Sequence, residues 1–136
     1  MIALAKEKTG RTTVYNNITS DEKLKQVNKE NLDLENDFLE YLGSIDRSKG
    51  TIRQYKANLR VFWCWNLEFN NNKFFVDLSK REIAKFQSPA INVWNWSPKR
   101  IRTVKSAISS LSNYIENILD DEFKDYKPIV RKIESP

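Results

Sequence analysis

Residues 97–119 form the stretch that most limits what this chain can fold into. Ser97 and Pro98 predict a helix start, because a serine hydroxyl can cap the first turn and a proline there loses no hydrogen bond. Apolar residues follow at helical spacing on one stripe: Ile101, Val104, Ile108, Leu111, Ile115 and Ile118. The opposite face is basic and rich in hydroxyls: Lys99, Arg102, Lys105, Ser106 and Ser109. The pattern predicts a long amphipathic helix with a core side and a cationic side.

The composition favours an all-helical domain. A chain of 136 residues supports one domain with a modest core, and its three glycines and four prolines are few for a sheet protein with many tight turns. No apolar run approaches the ~20 residues of a membrane span, and the N-terminus lacks the apolar core of a secretory signal. The single cysteine, Cys64, excludes an internal disulfide and fits an intracellular chain. We therefore expect a cytoplasmic protein with no membrane partner.

The chain contains no histidine. This excludes His-based zinc sites, Ser–His and Cys–His nucleophile pairs, and the usual general base near neutral pH. A freestanding enzyme is thus the weakest of the alternatives for this chain, and we expect no catalytic residue, no metal site and no cofactor in it.

The formal net charge of +5 hides a distribution in blocks. Residues 20–46 carry eight acids and three lysines, whereas residues 47–60 carry five bases and no acid. Residues 97–115 add four bases without an acid, and residues 116–125 carry five acids against one lysine. Charge runs most often mean only that a helix face is solvated. Two acid-free basic blocks on predicted helices fit a polyanion partner equally well.

A second long helix is predicted over residues 48–67. Its core stripe includes Ile52, Tyr55, Leu59, Phe62 and Trp63. Four bases align along one flank, three or four residues apart: Lys49, Arg53, Lys56 and Arg60. The flank is either a row of cations for phosphates and base edges or an exposed face kept soluble by charge.

Shorter helices precede and separate the two long ones. A turn capped near Ser20 opens a short helix, and residues 29–43 should form a helix with an acidic exposed side. We expect Gly43 to end that helix in the left-handed conformation. Asp77 or Ser79 should cap a further short helix that reaches about residue 87, before Pro89.

Four segments resemble motifs of one protein family. Residues 48–66 resemble the "S-x-x-T-I-x-x-Y-x-x-x-L-x-x-F" signature of the N-terminal core-binding domain of tyrosine recombinases, the phage integrase family. Residues 76–83 resemble its "D-L-T-x-x-D-I" helix opening, and residues 97–114 resemble its "S-x-x-T-I-x-R-x-L-S-A-L-R-x-F-Y" helix. Residues 126–129 resemble the "N-P" junction that leads into the catalytic domain. The order and spacing of these segments make the resemblance specific across residues 31–136.

The resemblance implies an all-α fold, a SAM-like orthogonal bundle of four to five helices. The polar, aperiodic residues 1–19 are expected to be disordered. The resemblance implies a core-binding domain at 20–126 and, at 127–136, the start of a linker to an absent C-terminal catalytic domain. In this family the bundle is one half of a clamp around duplex DNA near the crossover site. The family's catalytic arginines, lysine, histidines and tyrosine belong to the second domain. The fragment itself is therefore expected to bind and not to catalyse.

We expect double-stranded DNA and the chain's own C-terminal catalytic domain as partners, in a bacterial or prophage-encoded, nucleoid-associated protein that is monomeric in isolation. The two helices that would face the DNA begin at Ser48 and Ser97. The expected DNA-binding residues are Lys49, Thr51, Arg53, Lys56, Arg60, Lys99, Arg100, Arg102, Thr103, Lys105 and Ser106. Arg53 and Arg102 are the candidates for contacts to guanine.

A helical protein-interaction module is the alternative. It would use exposed tryptophans, Trp65, Trp94 or Trp96, as anchors together with the basic faces. Trp94 and Trp96 could also stack on bases, but we expect these two to pack on the small helical core.

Overall fold

Each helix begins at a side-chain cap. The computed structural model describes residues 19–130 and 133–134 and contains five α-helices in that part of the chain: α1 Asp21–Gln26, α2 Lys29–Ser44, α3 Lys49–Phe69, α4 Lys80–Asn92 and α5 Pro98–Asn117. Ser20, Asn28, Ser48, Ser79 and Ser97 each accept a hydrogen bond from a first-turn N–H group. No strand occurs among the described residues, so the all-α prediction is confirmed. Apart from Thr19, the segment expected to be disordered lies outside the described residues.

The two long helices pack against each other at the centre of the bundle. α3 also contacts α1 and α2, and α5 also contacts α2 and α4. The predicted apolar stripe of α5 is buried from Ile101 to Ile115, but its last member, Ile118, is 43% exposed, because the helix ends at Asn117. Burial of such aliphatic side chains is worth about 1.5–3 kcal/mol each, so this stripe is a main source of stability.

Aromatic rings fill the space between α3 and α4. Phe62 and Phe86 meet edge to face with centroids 5.6 Å apart, and Trp65 meets Phe86 at 5.4 Å. Trp96 reaches the same cluster from the loop before α5, 5.9 Å from Phe86. Cys64 is fully buried on the side of α3 next to Ser20 and Lys23, and burial raises the pKa of its thiol, in keeping with an inert core cysteine.

Asparagines connect the α3–α4 loop to the bundle. Asn71 and Asn72 adopt the left-handed conformation, which asparagine tolerates better than most residues. Asn31 of α2 donates to the Lys73 carbonyl at 2.8 Å and accepts from the Phe75 N–H at 2.7 Å. The loop therefore holds Phe75 in the core at the start of a 3₁₀ turn, Phe75–Asp77.

Two predicted helix ends are wrong. α2 continues through Gly43 to Ser44, and the left-handed residue after it is Asp46, with φ 63°. α4 continues past Pro89 to Asn92, because the Pro89 carbonyl still accepts from the N–H groups of Val93 and Trp94 at 2.8 and 2.9 Å. A proline near the end of a helix removes only one donor, and the bonds to its own carbonyl keep the last turn closed.

The segment after α5 folds back onto the bundle. Tyr126 and Ser112 share a hydrogen bond of 2.7 Å between their hydroxyls, and Ile129 is buried at 4% exposure. Gln87 of α4 donates to the Glu134 carbonyl at 3.2 Å. The described part of the expected linker therefore packs against the domain.

Candidate nucleic-acid interface

Two side-chain contacts set how α3 and α5 lie against each other. The hydroxyls of Tyr55 and Ser110 share a hydrogen bond of 3.3 Å. The Arg100 guanidinium donates to Asn58 Oδ1 at 3.3 Å and lies over the Trp96 ring, 5.1 Å from its centroid. The flank of α3 that carries Asn58 is therefore the one next to α5.

The exposed side of α3 carries two stripes of different chemistry. Lys49, Arg53 and Lys56 are exposed and form a basic stripe that ends at Arg60, beside α2. At about 100° per residue, Thr51 and Gln54 share a second stripe with Asn58, beside α5. The stripe next to α5 is thus neutral and polar, and the cations of α3 lie on the side away from α5.

The exposed side of α5 is arranged differently, because Lys99, Thr103 and Ser106 share the stripe of Ser110 at helical spacing and Arg102 lies further out. Lys99, Arg102 and Ser106 are exposed along its outer face. Thr103 lies at helical spacing from Ser110 and so faces α3, and its hydroxyl donates to the Lys99 carbonyl at 2.9 Å. The exposed surface therefore has a basic margin on α3, a neutral polar band beside it that includes Thr51 and Gln54, and a second basic margin on α5, where Lys99 borders the band next to Thr103 and Arg102 lies further out.

Arg60 and Arg100 are engaged inside the protein. Arg60 donates to the buried Glu35 carboxylate at 3.3 Å, and Glu35 also accepts from the Trp63 indole at 3.1 Å. Arg100 is held by Asn58 and Trp96. Both arginines therefore have structural contacts in addition to any contact they make outside the protein.

The prediction that Lys105 lies on the exposed basic face is wrong. Lys105 is only 5% exposed, and its ammonium donates to the Ile133 carbonyl at 3.2 Å. Burial lowers its pKa, because the charged form loses hydration. Helical spacing alone cannot reveal this, since the covering carbonyl comes from a segment 28 residues further along the chain.

The predicted hydroxyls differ in their surroundings. Ser106 is exposed, whereas the Thr51 hydroxyl accepts from Ser48 at 2.9 Å in the cap of α3. Ser109 is half-buried. Of these hydroxyls, Ser106 is the one most open to an outside partner.

Acidic side chains gather at the other end of α5. Burial first, and then the charge of Asp37, raises the pKa of Tyr114, with further contributions from Glu122 and Glu40. These acids come from α2 and from the turn after α5. Phe38 meets both Tyr55 and Tyr114, with centroids 5.6 and 5.5 Å apart, so these acids lie toward the first half of α3, whereas Arg100 at the start of α5 lies beside Asn58.

The tryptophans expected to anchor a protein partner are not free surface groups. Trp65 and Trp96 are buried at 3% and 9% exposure, and Trp94 is half-buried against Trp96, with centroids 5.4 Å apart. The expectation that Trp94 and Trp96 pack on the core is confirmed. The interaction-module alternative loses Trp65 and Trp96 as anchors.

Gln54 is a candidate that the sequence analysis missed. It lies on the neutral band, exposed, in an open depression lined with Gly50, Thr51, Arg53 and Ala57. A sequence signal exists: a glutamine flanked at helical spacing by two very small residues on an otherwise basic helix.

Comparison with known proteins places this architecture in a family. The family model described as phage integrase, N-terminal SAM-like domain, matches residues 34–125. The chain belongs to this phage integrase family. It is also similar to the SPbeta prophage-derived recombinase-like protein YomM of Bacillus subtilis (strain 168), with 32% identity over 102 residues. That match covers 75% of this chain but 29% of the relative, so the chain spans less than a third of the length of the protein it resembles.

No solved structure matches this integrase domain significantly. Within residues 19–130 and 133–134, no helix is long and apolar enough to cross a membrane. The family match supports a role connected with recombination.

Proposed function

We propose that this integrase domain binds duplex DNA as the non-catalytic half of a clamp near the crossover site of a site-specific recombination reaction. A catalytic domain elsewhere in the full-length protein would close the other half. The observation that carries the proposal is the pair of basic margins on α3 and α5 with the neutral polar band between them.

The charge of duplex DNA lies on its phosphates and not on its base edges. Phosphates border the groove, while base edges inside it present neutral donors and acceptors. Cations at the margins would neutralise phosphates, and the neutral band would face base edges. The acids near Tyr114 would repel DNA from that end of α5 and so orient the domain.

The proposal predicts a strong salt dependence. Five exposed bases belong to the two margins: Lys49, Arg53, Lys56, Lys99 and Arg102. If each neutralises one phosphate, the slope of log affinity against log salt should be about −4 to −5. Fluorescence anisotropy with a labelled random duplex at several salt concentrations measures this slope.

A matched pair of variants separates the interface from net charge. Arg53→Glu/Lys99→Glu reverses two interface bases, and Lys25→Glu/Lys85→Glu reverses two exposed lysines on α1 and α4. We expect the first variant to reduce DNA affinity by at least about 100-fold at low salt and the second to reduce it much less. Equal losses would contradict the proposed face. If the chain does not bind DNA even at low salt, that result favours the protein-interaction module instead.

A further inference from the structure

We propose that Gln54 reads an adenine in the major groove, and that this contact gives the domain a sequence preference. The inference rests on the proposed function, because it requires that α3 and α5 face duplex DNA. Gln54 would supply the sequence specificity of that interface.

Gln54 differs from the other polar side chains of the band in being exposed and unengaged. The Thr51 hydroxyl is bound in the cap of α3, the Thr103 hydroxyl bonds its own helix, and Asn58 accepts from Arg100. No hydrogen bond or ion pair engages the Gln54 amide among the described residues. Its donor and its acceptor are both available to a partner.

The surroundings of Gln54 leave room for a flat partner. Gly50 and Ala57 lie one turn before and one turn after it on the same side of α3, and together they form the open depression. The nearest atom to a methyl group placed on Gly50 would be Arg53 Nη2, at 3.9 Å. Gly50 and Ala57 add no bulky side chain to the depression, and the long Arg53 side chain borders it, so a base edge can approach the amide from the side of the two small residues.

The donor and acceptor of the Gln54 amide match those of adenine. A glutamine amide accepts from adenine N6 and donates to adenine N7 at the same time, and no other base offers that pair in the major groove. Arg53 lies next to Gln54 on the basic margin, so a phosphate contact there would set the distance from the amide to the groove floor.

The test is selection of bound duplexes from a randomised library by the full chain and by three variants. Wild type should enrich sites with one position fixed as adenine. Gln54→Ala should lose the preference at that position alone, by roughly 5- to 100-fold in relative affinity. Gln54→Glu should shift that position toward cytosine, because a carboxylate can only accept. Gln26→Ala, an exposed glutamine change on α1, should leave the enriched sites unchanged.

The outcomes distinguish this inference from the proposed function. Suppose that all chains bind random duplex with the same salt slope. If Gln54→Ala then keeps the adenine preference, or if wild type has no such preference, the proposed role of Gln54 is wrong while the proposal of DNA binding stands. If wild type binds no duplex, both proposals fail. Circular dichroism of each variant checks that it is folded, which we expect because the Gln54 amide bonds to none of the described residues.

Discussion

Single side chains decide which bases are available to a partner. Arg60, Arg100 and Lys105 look identical in the sequence to Lys49, Arg53 and Lys99, yet the first three have intramolecular partners. The difference depends on contacts that join residues 25 to 42 positions apart in the chain. The residue types and their helical spacing could be predicted, but these long-range partners could not.

Replacement of Glu35 tests the most buried of these contacts. Glu35→Ala leaves the Trp63 indole and the Arg60 guanidinium without their acceptor, so we expect a loss of about 2–4 kcal/mol in the free energy of unfolding. Glu35→Gln keeps an acceptor for Trp63 and should lose less. Urea denaturation measures both, and a loss below about 1 kcal/mol for Glu35→Ala would contradict the role of this carboxylate.

The burial of Tyr126 leads us to expect that the domain loses stability at high pH. Burial raises its pKa to about 12, the hydrogen bond with Ser112 opposes this, and Glu116 adds to it. An unfolded tyrosine has a pKa of about 10, so the buried phenol ionises at higher pH in the folded state than in the unfolded state. Its contribution to stability is therefore fully present below about pH 10 and is lost as the pH rises toward about 12. Burial also raises the pKa of Tyr114, so this residue acts in the same direction.

The matched variant is Tyr126→Phe. It removes the ionisable group and keeps the ring, so its stability should fall less between pH 10 and 12 than that of wild type. Chemical denaturation at pH 8, 10 and 11.5 gives the comparison. Parallel curves for the two proteins would show that Tyr126 does not titrate in the way its burial implies.

At the scale of elements, the caps were the most predictable feature and the helix ends the least. Ser48 and Ser97 start α3 and α5 where the sequence indicated, because the capping bond is local. The ends of α2 and α4 were misjudged, because Gly43 and Pro89 permit a helix end without requiring one. The folded-back segment after α5 was read as linker, since its short apolar run has no period that reveals a docking site.

Replacement of Ile129 tests how much the segment after α5 contributes to the free energy of unfolding. Ile129→Ala removes a side chain that is 4% exposed, so we expect a loss of about 2–4 kcal/mol. Ile118→Ala is the control, because Ile118 is 43% exposed at the end of α5 and its truncation should cost far less. Equal losses in urea denaturation would mean that the segment after α5 is not part of the folded unit.

At the scale of the whole molecule, one core joins all five helices. The buried apolar residues come from α2 to α5, the 3₁₀ turn, the segment after α5 and the connecting positions Val27, Leu78 and Trp96. α1 has no buried residue and packs on α3. The family resemblance and the apolar stripes were sufficient to predict the bundle. The division of the exposed face into basic margins and a neutral band required the contacts between α3 and α5.

A single core predicts a single unfolding transition. Tryptophan fluorescence reports the rings between α3 and α4, and far-ultraviolet circular dichroism reports all helices. We expect the two signals to change at the same urea concentration. Separate midpoints would show that part of the bundle, such as α1, unfolds independently.

Among residues 19–130 and 133–134, no hydrogen bond or ion pair engages the Gln54 side chain, and this has an evolutionary consequence. A side chain that contributes nothing to holding the helices together can be exchanged freely by mutation while the bundle persists. Integrases built on this frame could therefore acquire new target sequences in single steps, without passing through unstable intermediates.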